Sequence, residues 1–467
     1  MSISQEQLQA IIFYQWGRGT AVNIDSTLRK DTTTIRTVYL LFACFAKENM
    51  IFDEKSRIRS TSPHRVILDV AKEQVLSYRR SADSMNPSYL HGWHAVHPVI
   101  HLSNSSPSVS KDLVKEDLVT VDKSWDYDLI VDELRSSYHP QNNFCYSIDR
   151  KADETFRFNI RQLARCFSNI LITPEEFDVT AGGYNMNKAH YMCMRMLLKE
   201  KGWEYVLLLQ NHDVIIKSPY EMVEIYSLLG GANDVHVSRC PEELCSPEMK
   251  WTPRSLKLFL NESGTSSKTL DTTIELAKGA VQVSLSRAAV QWLIDTVNLT
   301  TILEKLNKKT YGYDEIMMAS LQVNEELGMP GRFTSDCLSQ GKDTRSISRL
   351  STWKNGPNVK CKSGYARKSI CIFGIEDFPS ILKYPHVMAN KMLPEFDYAI
   401  IECIHEVIFN RTFLNQDDHP LDKSYYANMP NVRYNRNRKR PISNFKLTCV
   451  RSQDEIDDSY TRAKVVV

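Results

Sequence analysis

The chain has 467 residues, a length that accommodates two or three domains. Hydrophobic residues make up 42% and charged residues 24% of it, so most of the chain should fold around a sizeable core. The formal net charge of +2 gives no electrostatic basis for general nucleic-acid binding. No apolar run reaches the roughly 18 residues that indicate a transmembrane helix.

The first 60 residues contain one short apolar run, VYLLFACFA at positions 38–46. Arg29, Lys30 and Arg36 precede it, which is the charge polarity of a membrane anchor with a cytoplasmic N-terminus. The polar tripeptide KEN then interrupts it. The run is therefore either a short, damaged signal anchor or a buried helix of a soluble domain, and both readings stay open.

A third reading applies to the same segment. The stretches QLQAIIFYQWGRGTAV and TTTIRTVYLLFACFAKEN resemble the N-terminal helix-turn-helix of mariner-type transposases. The recognition helix of that family is basic, whereas YLLFACF is apolar and lacks the groups that contact phosphates and bases. We therefore expect no nucleic-acid partner. Residues 1–60 are expected to be a damaged signal anchor or a remnant that resembles a helix-turn-helix, with a buried helix at 38–46 as the remaining alternative.

Composition divides the remaining chain into three parts. Residues 61–112 are polar with clusters of Ser, Pro and His, which predicts a stem or linker. Residues 113–420 should form the catalytic or binding domain. Residues 421–467 are polar and carry the basic run RYNRNRKR, which is typical of a solvated tail.

Strands and helices are expected to alternate along residues 113–420. The expected strands are NNFCYSID (142–149), NILIT (169–173), YVLLLQ (205–210) and VQVSLS (281–286). The expected helices are DYDLIVDELRSSY, AHYMCMRMLLKEKG and PYEMVEIYSLLGG, the last with a glycine C-cap at 230–231. This alternation predicts an α/β domain with a mainly parallel central sheet flanked by helices.

Eleven cysteines are dispersed along the chain without a CxxC pair, which argues against a zinc ribbon. They suit either a reduced cytosolic protein or a secretory domain with a few disulfide bonds. N-glycosylation sequons favour the secretory reading, and they start at Asn104, Asn261, Asn298 and Asn410.

The segment YGYDEIMMASLQ (311–322) places a carboxylate at the end of an apolar element. Asp314 is expected to cap the helix that IMMASLQ begins, which puts Glu315 in the first helical turn beside a loop rich in Tyr and Gly. A glutamate held there is a candidate general base. The alternative is a second carboxylate that merely suits the helix dipole.

Charged residues also follow the first strand of the domain. Asp149, Arg150 and Lys151 come directly after FCYSI, and ligands bind at the carboxyl ends of strands in open α/β sheets. One acidic and two basic side chains could hold a ribose hydroxyl and a phosphate. A polar loop without a ligand is the alternative.

Further cations could stabilise a leaving diphosphate. Arg367 and Lys368 precede a strand, and Lys391 lies in a loop after a helical stretch. Ordinary surface charges are the alternative for each one alone. The single Asp-x-Asp triplet, Asp126 to Asp128, opens a helix, so we interpret it as N-terminal capping and expect no metal site. If the protein uses a nucleotide sugar, the cations must do the work of a metal.

Longer segments resemble the Core-2/I-branching β-1,6-N-acetylglucosaminyltransferase family, which is glycosyltransferase family 14. The resemblance runs from about residue 125 to 410, in matching order and spacing. It is carried by YHPQNNFCYSIDRK, RQLARCFSNILI, YMCMRMLLKEKGWEYVLLLQNHDVIIKSPYEMVEIYSLLGGAND, YGYDEIMMASLQ and CKSGYARKSICIFGIEDFPSILKYPHVMANKMLPEFDYAIIEC.

The resemblance implies a GT-A-like nucleotide-sugar transferase fold, a UDP-sugar donor, expected to be UDP-GlcNAc, and an inverting reaction without a metal or other cofactor. The acceptor would be a glycan or glycoprotein. It also implies a Golgi membrane protein of single-pass type II, with the catalytic domain in the lumen. Two alternatives stay open, namely a xylosyltransferase-like member that acts on protein serine and a catalytically weak member that binds glycans.

Residue roles carry over where the motifs match. Glu315 corresponds to the catalytic base of the family, and the loop of Asp149, Arg150 and Lys151 corresponds to its uridine-nucleotide loop. Lys391 corresponds to a cation that binds the diphosphate.

The second diphosphate cation of the family falls on Lys368, with Arg367 beside it, and either residue could serve. Trp353 matches an acceptor-site tryptophan, and Arg254 matches an acceptor-side basic segment loosely.

The resemblance also implies disulfide bonds Cys145–Cys193 and Cys361–Cys371. Cys166 and Cys403 would need N-terminal partners, but only Cys44 lies upstream of Cys145, so at least one family bridge must be lost or rewired. The first strand of the family is hard to find in KEDLVTVDKSW, ahead of the DYDLIVDEL helix, and YGYDE replaces the usual S-P-D-E loop.

Overall fold

The computed structural model describes residues 99–102, 125–139, 141–308, 310–353, 361–413, 420–438, 447 and 449. The expected anchor at 38–46, the helix-turn-helix-like stretches and the sequon at Asn104 all lie outside these residues. Within the described part, no helix is long and apolar enough to cross a membrane.

The structure is a mixed α/β fold with several small sheets. The strands are β1 Val99–Leu102, β2 Phe144–Ile148, β3 Ile170–Ile172, β4 Tyr205–Gln210, β5 Val214–Ile215, β6 Val237–Arg239, β7 Ala277–Gly279, β8 Ser284–Ser286, β9 Arg349–Ser351, β10 Ala366–Arg367, β11 Ile370–Cys371 and β12 Met388–Asn390.

The helices account for most of the remaining regular structure. They are α1 Trp125–Ser137, α2 Glu154–Cys166, α3 Met186–Leu197, α4 Pro219–Leu229, α5 Pro253–Leu256, α6 Ser267–Asp271, α7 Arg287–Asp295, α8 Thr300–Leu306, α9 Met317–Val323, α10 Asp336–Ser339, α11 Phe378–Ile381, α12 Tyr398–Phe413, α13 Lys423–Ala427 and α14 Pro430–Asn437.

The central sheet has five strands in the order β3-β2-β1-β4-β8. The first four are parallel, and β8 runs antiparallel to β4. Strand β2 is buried along its whole length, as is β4 up to its last residue, which explains their continuous apolar sequences. The predicted mainly parallel α/β sheet is therefore confirmed.

Local signals set several helix ends where the sequence predicted them. In α4, Ser218 and Glu221 form a reciprocal capping box and Pro219 occupies the first turn. Gly230 ends the helix in the left-handed conformation, with φ of 56°. These features depend on adjacent residues, so they are readable from sequence.

One strand lies where a stem was expected. Strand β1 falls inside residues 61–112, yet it is hydrogen-bonded between β2 and β4 at the centre of the sheet. It precedes the first helix, α1, in the chain. Only four residues form it, flanked by a His-Pro dipeptide, so its identity depends on the neighbouring strands rather than on its own pattern.

The expected C-terminal tail also contains ordered structure. Helices α13 and α14 lie within residues 421–467, and α14 includes part of the basic run. Asn431 is buried and donates a hydrogen bond to the Asn233 carbonyl at 2.8 Å. Cys449 is bonded to Cys337. The boundary expected at residue 420 therefore does not mark the end of the folded part.

The three-stranded sheet β5-β12-β9 places further residues beside the end of β4. Strand β12 is parallel to β9 and antiparallel to β5, and β5 follows β4 after a short turn. Met392 and the Asn390 side chain both donate to the His212 carbonyl in that turn, at 3.3 and 3.2 Å. The carboxyl end of β4 is thereby joined to the ends of β9 and β12.

Both disulfide bonds that the resemblance implied, Cys145–Cys193 and Cys361–Cys371, are present. Cys240–Cys245 and Cys337–Cys449 are additional bonds. Cys166 is also disulfide-bonded, whereas Cys403 in α12 is a free thiol. Of the two further family bridges that the resemblance implied, the one at Cys403 is therefore lost.

Candidate functional site

Glu315 lies in a tight turn that precedes the buried helix α9. Residues Tyr313–Glu315 form one turn of 3-10 helix after Gly312, and α9 starts at Met317 with all of its residues buried. The expected capping by Asp314 is wrong, because the helix begins after Ile316 and has no side-chain cap. Glu315 thus precedes the helix, with 18% of its side chain exposed.

A lysine from another element contacts this carboxylate. Lys278 Nζ lies 2.6 Å from Glu315 Oε2, and Oε2 itself is buried. Lys278 belongs to β7, which pairs with β6 in a short antiparallel ladder. Sequence reasoning missed this lysine, because only the folded chain brings β7 beside the turn at Glu315.

The neighbouring Asp314 is packed against Gly183. A β-carbon built on Gly183, whose φ is +89°, would lie 1.9 Å from Asp314 Cγ. Asn187 donates to the Asp314 carbonyl at 3.0 Å. Burial and the charge of Glu315 together raise the pKa of Asp314 to about 7.

The expected cations Arg367 and Lys368 lie on the β10–β11 hairpin. Lys368 and Ser369 form its turn, with φ of 50° and 66°, and the Cys361–Cys371 bond closes the loop that contains it. Cys371 donates to the Thr352 carbonyl at 2.7 Å, and Trp353 bridges to Ile370. Trp353, with 45% exposure, therefore lies beside this hairpin.

Lys391 follows β12 and faces the same hairpin. Phe373 donates to the Lys391 carbonyl at 2.9 Å. Burial lowers the pKa of Lys391 to about 8, and the charges of Arg367, Arg349 and Lys368 act in the same direction, against the opposite effect of Asp213. The structure thus brings the three expected diphosphate cations together.

Arg349 was not expected from the sequence and connects this cluster with the Glu315 turn. Its side chain is 14% exposed, and its guanidinium lies 3.9 Å from Asp213. Arg349 favours the ionised forms of Asp213 and Asp314, and so lowers the pKa of both carboxyls against the stronger effect of burial. It also acts on Tyr311, whose pKa is raised by burial and by Glu315.

The loop after β2 is held by its own ion pairs. Asp149 is fully buried, and Lys151 Nζ lies 3.1 Å from it while also contacting Asp178. Arg150 donates to the Glu176 carbonyl at 3.0 Å and remains exposed. The three expected nucleotide-loop residues lie together, and Lys151 is already engaged by two carboxylates.

Arg254 forms an ion pair with Asp271. Its guanidinium donates to both Asp271 carboxylate oxygens at 2.7 and 3.0 Å on an exposed surface. Its hydrogen bonds within the described part of the chain do not reach Glu315. Its acceptor-side role stays a prediction.

The sequons in the described ranges occupy three settings. Asn261 is exposed and caps a 3-10 turn, Asn298 is half-buried, and Asn410 lies within α12.

Among the described side chains, no group of three or more His, Cys, Asp or Glu residues is arranged to hold a metal ion. The Asp-x-Asp triplet lies in the first turn of α1, where a helix start was expected.

The similarity to known proteins covers the part of the chain that contains the candidate site. The family profile described as Branch: Core-2/I-Branching enzyme matches residues 120–382, a range that contains Glu315, Arg367 and Lys368.

Curated relatives match a similar extent. Beta-1,3-galactosyl-O-glycosyl-glycoprotein beta-1,6-N-acetylglucosaminyltransferase 3 of Rattus norvegicus is 28% identical over 284 residues, which cover 59% of this chain and 64% of the relative. The Homo sapiens protein of the same name gives the same identity and coverage. The corresponding transferase of Bovine herpesvirus 4 (strain LVR140) is 30% identical over 285 residues, covering 59% and 63%. The matched part spans less than two thirds of each relative.

Proposed function

Because the chain belongs to the Core-2/I-branching enzyme family of glycosyltransferases, we propose that it transfers GlcNAc from UDP-GlcNAc to a hydroxyl group of an acceptor glycan. The proposed fold is GT-A-like. In support, the parallel strands β2 and β4 both end beside residues suited to a nucleotide sugar, which is where ligands bind in open α/β sheets.

The observation that carries the proposal is a carboxylate at one end of the candidate site and a cluster of cations at the other. Glu315 lies at one end, and Lys391 with the β10–β11 hairpin lies at the other. Arg349 acts electrostatically on groups at both ends. A sugar carbon bound between the two ends would have a base on one side and a diphosphate held on the other.

In the proposed reaction, Glu315 removes the proton from an acceptor hydroxyl. The acceptor oxygen forms a bond to the anomeric carbon while the bond from that carbon to the β-phosphate oxygen breaks, and UDP leaves with the electron pair. Attack opposite the leaving group inverts the anomeric configuration, by the same stereochemical logic as in inverting hydrolases.

Fixed cations would stabilise the departing diphosphate. Lys391 and either Arg367 or Lys368 are proposed for this role, and no metal is required because preorganised cations supply the same electrostatic stabilisation. Transfer should then persist in EDTA. A dependence on Mn²⁺ that EDTA abolishes would contradict this part of the proposal.

We further propose that the domain acts in the Golgi lumen on glycoproteins. Four disulfide bonds with both partners described support an oxidising compartment. The exposed sequon at Asn261 offers a direct test, because peptide mapping after glycosidase treatment would detect a glycan there.

The central test is a donor and acceptor screen of the secreted chain, combined with Glu315→Gln. This substitution keeps size and removes the base, so transfer should fall by about 10²- to 10⁴-fold while UDP binding is retained. Glu326→Gln, at an exposed glutamate, serves as the control and should retain full transfer. Full activity of Glu315→Gln would refute the assigned base, and binding of glycans without any turnover would favour a glycan-binding member.

A further inference from the structure

Asp213 is a buried carboxylate at the carboxyl end of β4, with one oxygen left unsatisfied. Its residue exposure is 4%. Oδ2 accepts a hydrogen bond from the Gln210 amide at 2.8 Å. Oδ1 is also buried, and no donor of the described residues completes a hydrogen bond to it. A buried carboxylate oxygen without a donor is costly unless a ligand supplies one.

A second buried aspartate shows how this fold treats a purely structural carboxylate. Asp234 accepts from the Ile347 and Ser348 amides and from the Ser348 hydroxyl, at 3.0, 2.8 and 2.7 Å to Oδ2 and 3.2 Å to Oδ1. Both of its oxygens therefore have donors. The unsatisfied oxygen of Asp213 is a difference between two carboxylates of similar burial.

Two cations act on the carboxylate of Asp213, namely Arg349 and Lys391. Arg349 Nη1 lies 3.9 Å from Oδ1, too far for a direct hydrogen bond. Lys391 is close through the turn, because Met392 and Asn390 donate to the carbonyl of His212. Burial raises the pKa of Asp213, whereas Arg349, the Gln210 amide, Lys391 and Asn390 favour its ionised form.

The position of Lys391 limits what can reach Asp213. If Lys391 binds the diphosphate, the pyranose bonded to the β-phosphate must lie next to it. The pyranose must also extend toward Glu315, because its anomeric carbon reacts there. Arg349 acts electrostatically on Asp314 at one end and on Lys391 at the other, and its guanidinium lies 3.9 Å from Asp213 Oδ1. The ring hydroxyls are therefore the donors that we expect to meet Oδ1.

We propose that Asp213 accepts a hydrogen bond from a ring hydroxyl of the donor sugar and that Arg349 fixes the Asp213 carboxylate for this contact. The pair is then a specificity-determining subsite for the pyranose of the nucleotide sugar. This inference rests on the proposed UDP-sugar function and adds to it the residues that distinguish a sugar-bearing nucleotide from UDP alone.

The test compares the binding of UDP and UDP-GlcNAc by isothermal titration calorimetry. Asp213→Asn should weaken UDP-GlcNAc binding by about 10- to 100-fold relative to UDP, because a neutral amide replaces the charged acceptor. Asp234→Asn is the matched control, since it should lower the unfolding temperature without changing the ratio of the two affinities. Equal weakening of both ligands by Asp213→Asn, or no weakening, would overturn the subsite.

The unaltered protein provides a second test that does not depend on the folding of a variant. UDP-GlcNAc analogues that lack the hydroxyl at C3, C4 or C6 are measured in turn, and one of them should bind about 10-fold or more weakly. If all three bind as UDP-GlcNAc does, the subsite is wrong. If the unaltered protein binds neither UDP nor UDP-GlcNAc, the proposed function fails and the subsite fails with it.

Discussion

Lys391 gives the most quantitative prediction, because its charge should disappear within an accessible pH range. Removal from water lowers its pKa to about 8, and the neighbouring cations Arg367, Arg349 and Lys368 act in the same direction. In the proposed role, the protonated form of Lys391 binds the diphosphate, and this form predominates below that pH. The affinity for UDP should therefore be constant at lower pH and should fall as the pH rises through about 8.

The size of the effect follows from the protonated fraction. One pH unit above the pKa, about one lysine in eleven remains charged, so affinity falls by about tenfold, or about 1.4 kcal/mol. UDP itself adds little to this dependence above about pH 7, because its terminal phosphate has a pKa of about 6. Calorimetric titrations of UDP between about pH 7 and pH 9.5 would measure the change.

Two variants separate the charge of Lys391 from other effects of pH. Lys391→Arg stays charged throughout this range, so its affinity should be flat with pH even if its geometry lowers the absolute value. Lys391→Met should bind weakly at every pH. Lys383→Met, at an exposed lysine, should follow the unaltered protein. A flat profile for the unaltered protein together with lost binding in Lys391→Met would refute the reasoning from desolvation.

Two further predictions concern the turn that holds Glu315. Gly183→Ala would place a methyl group against the Asp314 carboxylate. It should destabilise the fold by about 1–3 kcal/mol more than Gly328→Ala, because Gly328 has a similar positive φ but open space around it. Equal denaturant midpoints of the two variants would contradict the contact. Lys278→Met should lower kcat by about tenfold or more and leave the affinity for UDP unchanged, since its ion pair positions the base and not the donor. Lys268→Met, at an exposed lysine, is the control, and an unchanged kcat in Lys278→Met would show that the ion pair does not support catalysis.

The parts of the fold that sequence predicts are those set by neighbouring residues. The strand β4 coincides with the apolar run YVLLLQ, and α4 ends at the glycine that its sequence indicates. The sequence places Glu315 in the first turn of a buried helix, and the structure places it two residues before the start of α9. The turn there is 3-10, and Asp314 does not cap the helix.

The parts that were missed depend on partners distant in the chain. Strand β1 has only four residues and is defined by β2 and β4 on either side. Lys278 and Arg349 carry no local pattern that separates them from other cations. They become site residues only because β7 and β9 place them beside Glu315 and Asp213.

These two missed cations constrain the proposed chemistry more than the expected residues do. Lys278 pairs with Oε2 of Glu315, so the proposed reaction assigns to Oε1 the proton of the acceptor hydroxyl. Burial of Asp314 next to Glu315, with a pKa of about 7, limits the negative charge in the turn, which leaves Glu315 as the carboxylate best placed to act. In the proposed site, Arg349 of β9 would contribute both to donor selection, through Asp213, and to stabilisation of charge.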